Sequence, residues 1–530
     1  MKGYIEGFIK QLELAFEIGS AAEFDVGGEI IKNVLICGLG GSGIGGTVVT
    51  KVALVEATTG ENILSLHEPQ HEMSILSEQN DWAEQDPNDW WKFVCQGTKR
   101  ILQESKIDPS SIQAVGISYQ MHGLVLVDGD GEPLRNSIIW CDSRAVDIGK
   151  QAFEDLTKER CVSNLLNSPA NFTASKLKWV KDNEPELYNK IHKFMLPGDF
   201  IAFKLTNEIS TTKNGLSEGI FWDYKSDSIA NWLLDYFEFS PDLVPDIVEN
   251  FTPQAFISKQ AAVETGLAEG IPITYRAGDQ PNNALSLNVF NRGEVAATGG
   301  TSGVIYAVTD SKNSIEASRI NHFAHVNYSS EKPTIGKLLC INGAGIMYRW
   351  LRNQSSAESY ETMNRKASKV PIGSDGLVIL PFGNGAERML NNQNIGTQFC
   401  NINLNQHSKA HLYRAALEGI AFSFVYGMEI LKNDNAAIKV IRAGNDNLFR
   451  SEIFAKTLST LIGYEIEIYN TTGAIGAARA AGLTDKDFDR FGQNITKNDH
   501  VMTFKPIENK NLYLDAYQNW KIELEKQIKN

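Results

Sequence analysis

No apolar run in this chain of 530 residues approaches the roughly 20 residues that a membrane span needs. A secretory leader is not expected either, because Glu6, Lys10, Glu13 and Glu17 interrupt the apolar stretch that one would require. Cysteine is scarce. The six (Cys37, Cys95, Cys141, Cys161, Cys340, Cys400) are scattered without a C-x-x-C pair or disulfide-like spacing, so a reducing cytoplasmic location is expected. A basic excess is also missing: 50 Lys and Arg stand against 64 Asp and Glu, a net charge of −14. That balance argues against nucleic acid or a membrane surface as partner, since both need a basic face. It leaves room for a nucleotide, whose phosphates need only a local pocket of amides and a metal ion. A match to H-E-x-x-H, His67-Glu68-Pro69-Gln70-His71, fails as a zinc site because Pro69 breaks the helix that would put both imidazoles on one face.

What is present is a chain of ordinary globular composition, 42% hydrophobic and 22% charged, long enough for two or more domains. Its centre of interest is Tyr275-Arg276-Ala277-Gly278-Asp279-Gln280-Pro281, followed by Ala297-Thr298-Gly299-Gly300-Thr301-Ser302-Gly303. The pattern predicts a buried strand, a glycine hinge presenting one carboxylate, a helix, and a Gly/Thr/Ser loop between two strands. Such an arrangement suits phosphoryl transfer: Asp279 accepts the proton of an alcohol while loop amides hold phosphate oxygens. The plainer alternatives are a helix N-cap for Asp279 and a simple hairpin turn for the loop.

Along the chain, residues 4–18 carry apolar side chains at helical spacing, and the run Asn33 to Cys37 enters a Gly-rich segment from Gly38 to Gly46. A hairpin is expected around Thr58-Thr59-Gly60, and a helix opening on Pro87 with Asp86 as its cap. Strands follow at Ile112 to Tyr119 and Leu124 to Val127. The chain repeats itself: Gly45-Gly46-Thr47 before one strand corresponds to Gly299-Gly300-Thr301 before another. Two halves facing one another would place small ligands between them. The small residues Gly473 to Ala478 predict close helix packing.

Several further segments occur in a fixed order. They are Trp82-Ala83-Glu84-Gln85-Asp86-Pro87 with Trp90-Trp91, Gln120-Met121-His122-Gly123, Ile139-Trp140-Cys141-Asp142-Ser143-Arg144, Leu196-Pro197-Gly198-Asp199, Glu387-Arg388, and Arg414 to Gly419. With Gly278-Asp279-Gln280 and Gly300 to Gly303, this ordered set resembles the FGGY carbohydrate kinase family from about Lys51 onward. The resemblance implies an α/β fold of two actin-like, ribonuclease H-like domains flanking a cleft. It divides the chain into residues 51–290, the sugar-binding domain, and 291–530, the ATP-binding domain. It implies ATP and Mg²⁺ as cofactors and a small sugar as partner, in a monomer or homodimer. D-xylulose is the expected sugar, with another ketose or a polyol as alternative. Carried over by position, Asp279 is the general base. Gln120, Met121, His122, Trp140, Asp142, Arg144 and Gln280 lie by the sugar. Gly300, Thr301, Ser302 and Gly303 form a phosphate loop, and Gly444, Asn445 and Asn447 lie near the adenosine. No side-chain metal ligand is assigned.

The opening departs from that family, whose first hairpin reads Gly-x-Asp-x-Gly-Thr. Here Gly46 and Thr47 match, but Ile44 stands where the Asp belongs. Residues 1 to about 47 instead resemble the start of a phosphoglucose/phosphomannose isomerase, through Tyr4-Ile5-Glu6-Gly7-Phe8 and the Gly38 to Gly46 run. Residues 1–50 are therefore read as a foreign segment of helix and Gly-rich turn, and the chain as a junction of two openings. A kinase impaired at Mg²⁺ positioning, or a non-catalytic sugar or nucleotide binder, follows as the alternative.

Overall fold

The computed structural model describes residues 33–40, as backbone only, and 49–528. The expected helix over residues 4–18, the Gly-rich segment from Gly41 to Thr47 and Ile44 lie outside the described residues. Two sheets organise the rest. The first holds β1 (Asn33–Gly40), β2 (Val49–Glu56), β3 (Asn62–Glu68), β4 (Ile112–Tyr119), β5 (Ala255–Phe256) and β6 (Pro272–Gly278), in the order β5-β6-β4-β1-β2-β3. The second holds β7 (Glu294–Gly299), β8 (Gly303–Thr309), β9 (Asn321–Ala324), β10 (Ile335–Ile341), β11 (Val440–Gly444), β12 (Ile466–Tyr469) and β13 (His500–Phe504), in the order β9-β10-β8-β7-β11-β12-β13.

The two sheets share one plan. In each, an antiparallel meander (β1-β2-β3; β7-β8-β10) is extended from its first strand by two parallel strands (β4 and β6; β11 and β12). Parallel neighbours need crossover connections, and helices supply them. The sheets thus repeat one plan, while Gly45-Gly46-Thr47, one member of the glycine-threonine repeat, lies outside the described residues. Asn33–Gly40, within the residues 1–50 read as a foreign segment, forms part of the first sheet. β1 pairs with β2 from Asn33↔Glu56 to Gly40↔Val49 and lies parallel to β4. It fills the central position that β7 fills in the second half. A boundary at residue 50 would cut β2. The physical reason is that a strand is recruited by unpaired N–H and C=O groups on its neighbours, whatever gene-like pattern it belongs to.

Helices that position the cleft are α1 (Pro87–Ser105), α2 (Lys213–Glu218), α3 (Asp279–Ser286), α4 (Gly345–Gln354), α5 (Lys409–Asn433) and α6 (Gly473–Ala481). The cap of α1 forms as expected: Asp86 accepts from the Asn88 amide at 2.9 Å. Trp90, Trp91, Val94 and Ile101 then turn its apolar face inward. One apolar core lies beside each sheet. A third is shared, joining Ala53 and Tyr275 of the first half to Tyr306, Val308 and Phe323 of the second, with α6 between them. Beside it, Asn214 donates to the carbonyls of Ala324 (3.0 Å) and His325 (2.7 Å), tying the two halves together.

Candidate active site

Strand β6 is buried from Ile273 to Gly278 between strands on both sides, with Arg276 satisfied by Asp199 at 3.1 Å. It ends at the cleft, where Gly278 caps α3 and Asp279 is the first helical residue. The carboxylate is therefore not the N-cap. It stands half-buried at the positive end of the helix, and Gln280 Nε2 donates to its Oδ2 at 3.2 Å. Glycine is required at 278 because a Cβ there would lie 2.3 Å from Glu218 Oε2 and 2.5 Å from Met121 Cγ. Three segments thus converge on one turn.

Met121 is buried and His122 half-buried immediately after β4. His122 adopts a left-handed backbone (φ 64°), a conformation that costs a non-glycine residue energy and needs support. Lys176 supplies it, its ammonium donating to the carbonyls of His122 and Ile139 at 2.9 Å each. His122 Nδ1 lies 2.9 Å from the Glu218 carbonyl oxygen. A carbonyl only accepts, so Nδ1 carries the proton and Nε2 is left as acceptor. Burial first, and the Lys176 charge second, hold the imidazole neutral, with its pKa down at about 3. Phe172 (4.6 Å, edge-on) and Phe323 (5.2 Å) fix the ring plane.

The other expected sugar-side residues are distributed unevenly. Gln120 is 2% exposed and donates to Gln85 Oε1 at 3.3 Å, with its own Oε1 unpartnered. Trp140 is 46% exposed. Asp142 points inward: it accepts from the Ala83 amide at 2.6 Å and clasps Arg144 from 2.7 to 3.0 Å. Arg144 is itself stacked against Trp82 (3.8 Å) and Trp179 (4.8 Å) and paired with Glu84 at 2.7 Å. These two hold the loop from behind and leave Trp140 as its open face.

Across the cleft, Gly299 pairs with Gly303, so Gly300, Thr301 and Ser302 form the tip of the β7-β8 hairpin. Carbonyls of Gly300 and Thr301 accept from the amides of Gly345 and Ile346 at 3.0 Å each, at the start of α4. The tip is half-exposed. β11 ends on Gly444, where the Asn445 amide donates to the Tyr469 carbonyl at 2.8 Å and Asn447 is left-handed (φ 47°). Neighbouring Asp446 has its carboxyl pKa raised by burial, against the opposing pull of Asn447 and of Lys51 on β2.

Residues that the sequence reading passed over include Lys176, Glu218 and the Phe172 and Phe323 pair. Their only sequence signal is ordinary hydrophobic or charged character, which says nothing of where distant segments meet. Glu387 and Arg388 were noticed as a pair without a role. Glu387 accepts from the amides of Asn342 (2.9 Å) and Gly343 (2.7 Å), and burial pushes its pKa up to about 7. Arg388 donates to the carbonyls of Ser318 and Ala317 at 3.1 Å each, while burial pulls its pKa down to about 10.

Two mixed α/β sheets of one plan thus carry an acid at the head of a helix on one and a Gly/Thr/Ser hairpin on the other. Residues 44–286 match the N-terminal domain of the FGGY family of carbohydrate kinases, and residues 295–484 its C-terminal domain. The chain belongs to that family, and with it uses ATP to phosphorylate a sugar. It is 26% identical to a xylulose kinase of Staphylococcus xylosus over 425 residues, covering 78% of this chain and 84% of the relative. It is 27% identical to a probable L-xylulose kinase of Haemophilus influenzae over 444 residues, 82% of this chain and 88% of that one. Among solved structures, xylulose kinase from Rhodospirillum rubrum superposes with a TM-score of 0.82 at 22% identity, over 94% of this chain and all of that one (100%). Plasmodium falciparum glycerol kinase with ADP gives 0.81 at 18% identity over 93% and 97%. At such identities the superpositions speak to the fold.

Proposed function

We propose that this chain transfers the γ-phosphoryl group of ATP to the C5 hydroxyl of D-xylulose. The observation that supports the reading is Asp279 at the first turn of α3, following a Gly278 turn that abuts Met121 and Glu218, with the Gly300 to Ser302 hairpin tip on the second sheet. His122 Nε2 accepts from a sugar hydroxyl, Met121 packs on the carbon chain, and Trp140 closes the pocket from the exposed side. Gln120 and Gln280 supply amide groups, while Asp142 and Arg144 keep the Trp140 loop in place. Asp279 takes the proton of the attacking hydroxyl, whose oxygen forms the new P–O bond as the bond to ADP breaks. Amides of Gly300 to Gly303 receive the equatorial charge, and Gly444, Asn445 and Asn447 border the adenosine.

Among the described residues no group of three or more His, Cys, Asp or Glu could hold a metal ion. An Mg²⁺ would enter on the nucleotide phosphates with its own waters, the ordinary habit of this ion. When bound it supplies charge neutralisation on the phosphates. The names of the relatives support a xylulose, one of them the L enantiomer. ADP formation with D-xylulose, L-xylulose and glycerol tests the choice, with the phosphorylated carbon read by ³¹P–¹H NMR. Turnover fastest with D-xylulose and phosphate on C5 is expected. A rate no higher than without sugar overturns the kinase reading and favours a non-catalytic binder, for which Ile44 in place of the family's hairpin Asp is the motive.

A further inference from the structure

We propose that Glu218 is a positioning residue of the sugar site, an uncharged carboxylic acid wedged between the turns of His122 and Asp279. It rests on the reading of Asp279 as base and His122 as sugar contact given under Proposed function. Glu218 closes α2 and is 2% exposed. Its backbone oxygen receives the His122 Nδ1 proton at 2.9 Å, and its Oε2 occupies the space that a side chain at Gly278 would take, 2.3 Å from that Cβ position. One residue therefore sets the tautomer of the imidazole and backs the turn that presents the base. The hydroxyl of fully buried Tyr119 faces its carboxyl as a side-chain hydrogen-bond partner.

The charge state follows from the surroundings. A buried carboxylate needs a cation or several donors. The titratable groups facing Glu218 are Asp279, Asp199, Tyr119, His122 and Tyr306. Asp199 is taken up by Arg276 at 3.1 Å, and His122 is neutral, so no free positive charge faces the carboxyl. Burial, then Asp279 and Asp199, raise its pKa well above the ordinary value. A proton on Glu218 keeps a second negative charge away from Asp279. Two carboxylates side by side would tie one proton between them and spoil the base.

The test uses the full chain with Glu218→Gln and Glu218→Ala. Glu218→Gln keeps the shape and the neutrality. Melting temperatures of this variant and the parent, read from pH 5 to pH 8 without ligand, should diverge in favour of Gln as pH rises. The native carboxyl must retain a proton that the unfolded chain gives up, so rising pH works against the parent alone. A difference independent of pH, or one favouring the parent more at high pH, overturns the uncharged acid. In the kinase assay, Glu218→Ala should lower kcat about tenfold to a hundredfold and weaken sugar, with KM for ATP within about twofold, and Glu218→Gln should recover most of the loss. Alanine keeping more than half of the parent kcat, or Gln falling as far as alanine, overturns the positioning role. Should the parent phosphorylate no sugar at all, the reading under Proposed function has failed, while the melting series still decides the state of Glu218.

Discussion

Under the proposed function Asp279 accepts the proton of the attacking hydroxyl and His122 a sugar hydrogen bond, and their environments keep them apart in character. Asp279 heads a helix, and His122 is sunk among Phe172, Phe323 and Lys176. Asp279→Asn should therefore leave folding and ATP binding nearly intact and lower kcat by about 10²–10⁴, the usual loss for a positioned general base. A variant with more than half of the parent turnover would remove Asp279 from the mechanism. His122→Ala should weaken sugar in titration calorimetry and leave ATP affinity nearly unchanged, because His122 follows a strand of the first sheet while the residues proposed to contact the nucleotide, Gly300 to Gly303 and Gly444 to Asn447, belong to the second. Glu387 offers a third test. Its native pKa of about 7 lies above the ordinary 4.5, so its contribution to stability is full below about pH 4.5 and declines as pH rises to about 7. The slope amounts to about 1.4 kcal/mol per pH unit at most. Glu387→Gln should flatten the fall in unfolding free energy between pH 5 and pH 7, measured by urea titration at each pH.

At the scale of elements, the catalytic turn depends on how closely α6 approaches the first sheet. A Cβ on Gly116 of β4 would lie 2.4 Å from the Ala477 carbonyl, and one on Gly476 would overlap Ser286 Oγ at 1.6 Å. Ser286 is itself bonded back to the Asn282 carbonyl at 2.9 Å and cannot swing away freely. Gly476→Ala should thus push α3 off α6, costing about 1–3 kcal/mol as overpacking does, and shift Asp279 with it. A lowered melting point together with a lowered kcat is expected, and an unchanged kcat would show that the turn is held without α6. The small residues from Gly473 to Ala478 made this close packing readable in advance. Its partner was not readable, because nothing local says that a helix late in the chain returns to the sheet that begins it.

For the whole molecule, the two halves are joined through a shared apolar core and through β9 docking on α2. The opening strand β1 completes the first sheet, and Ile44, which by the family resemblance stands at the position of the hairpin Asp, lies outside the described residues. Replacing residues 1–50 by a family-type strand with Gly-x-Asp-x-Gly-Thr should raise kcat/KM for Mg²⁺·ATP by about tenfold to a thousandfold, corresponding to about 1.4 to 4 kcal/mol of restored interaction. Equal rates in steady-state kinetics would mean that another carboxylate serves the metal.

The sequence by itself determined the strand-turn-helix around Asp279 and the hairpin at Gly300, because these rest on local periodicity and on glycine where side chains do not fit, while the two-domain α/β plan came with the family resemblance of its ordered motifs. It also placed Met121 and His122 after a buried strand. Only the tertiary structure decided that Asn33–Gly40 belongs to the first sheet, that Asp142 and Arg144 face inward, and that Glu218 meets both His122 and Gly278. Those outcomes depend on contacts between segments tens to hundreds of residues apart, where burial and pairing are set by the partner rather than by the residue's own neighbours.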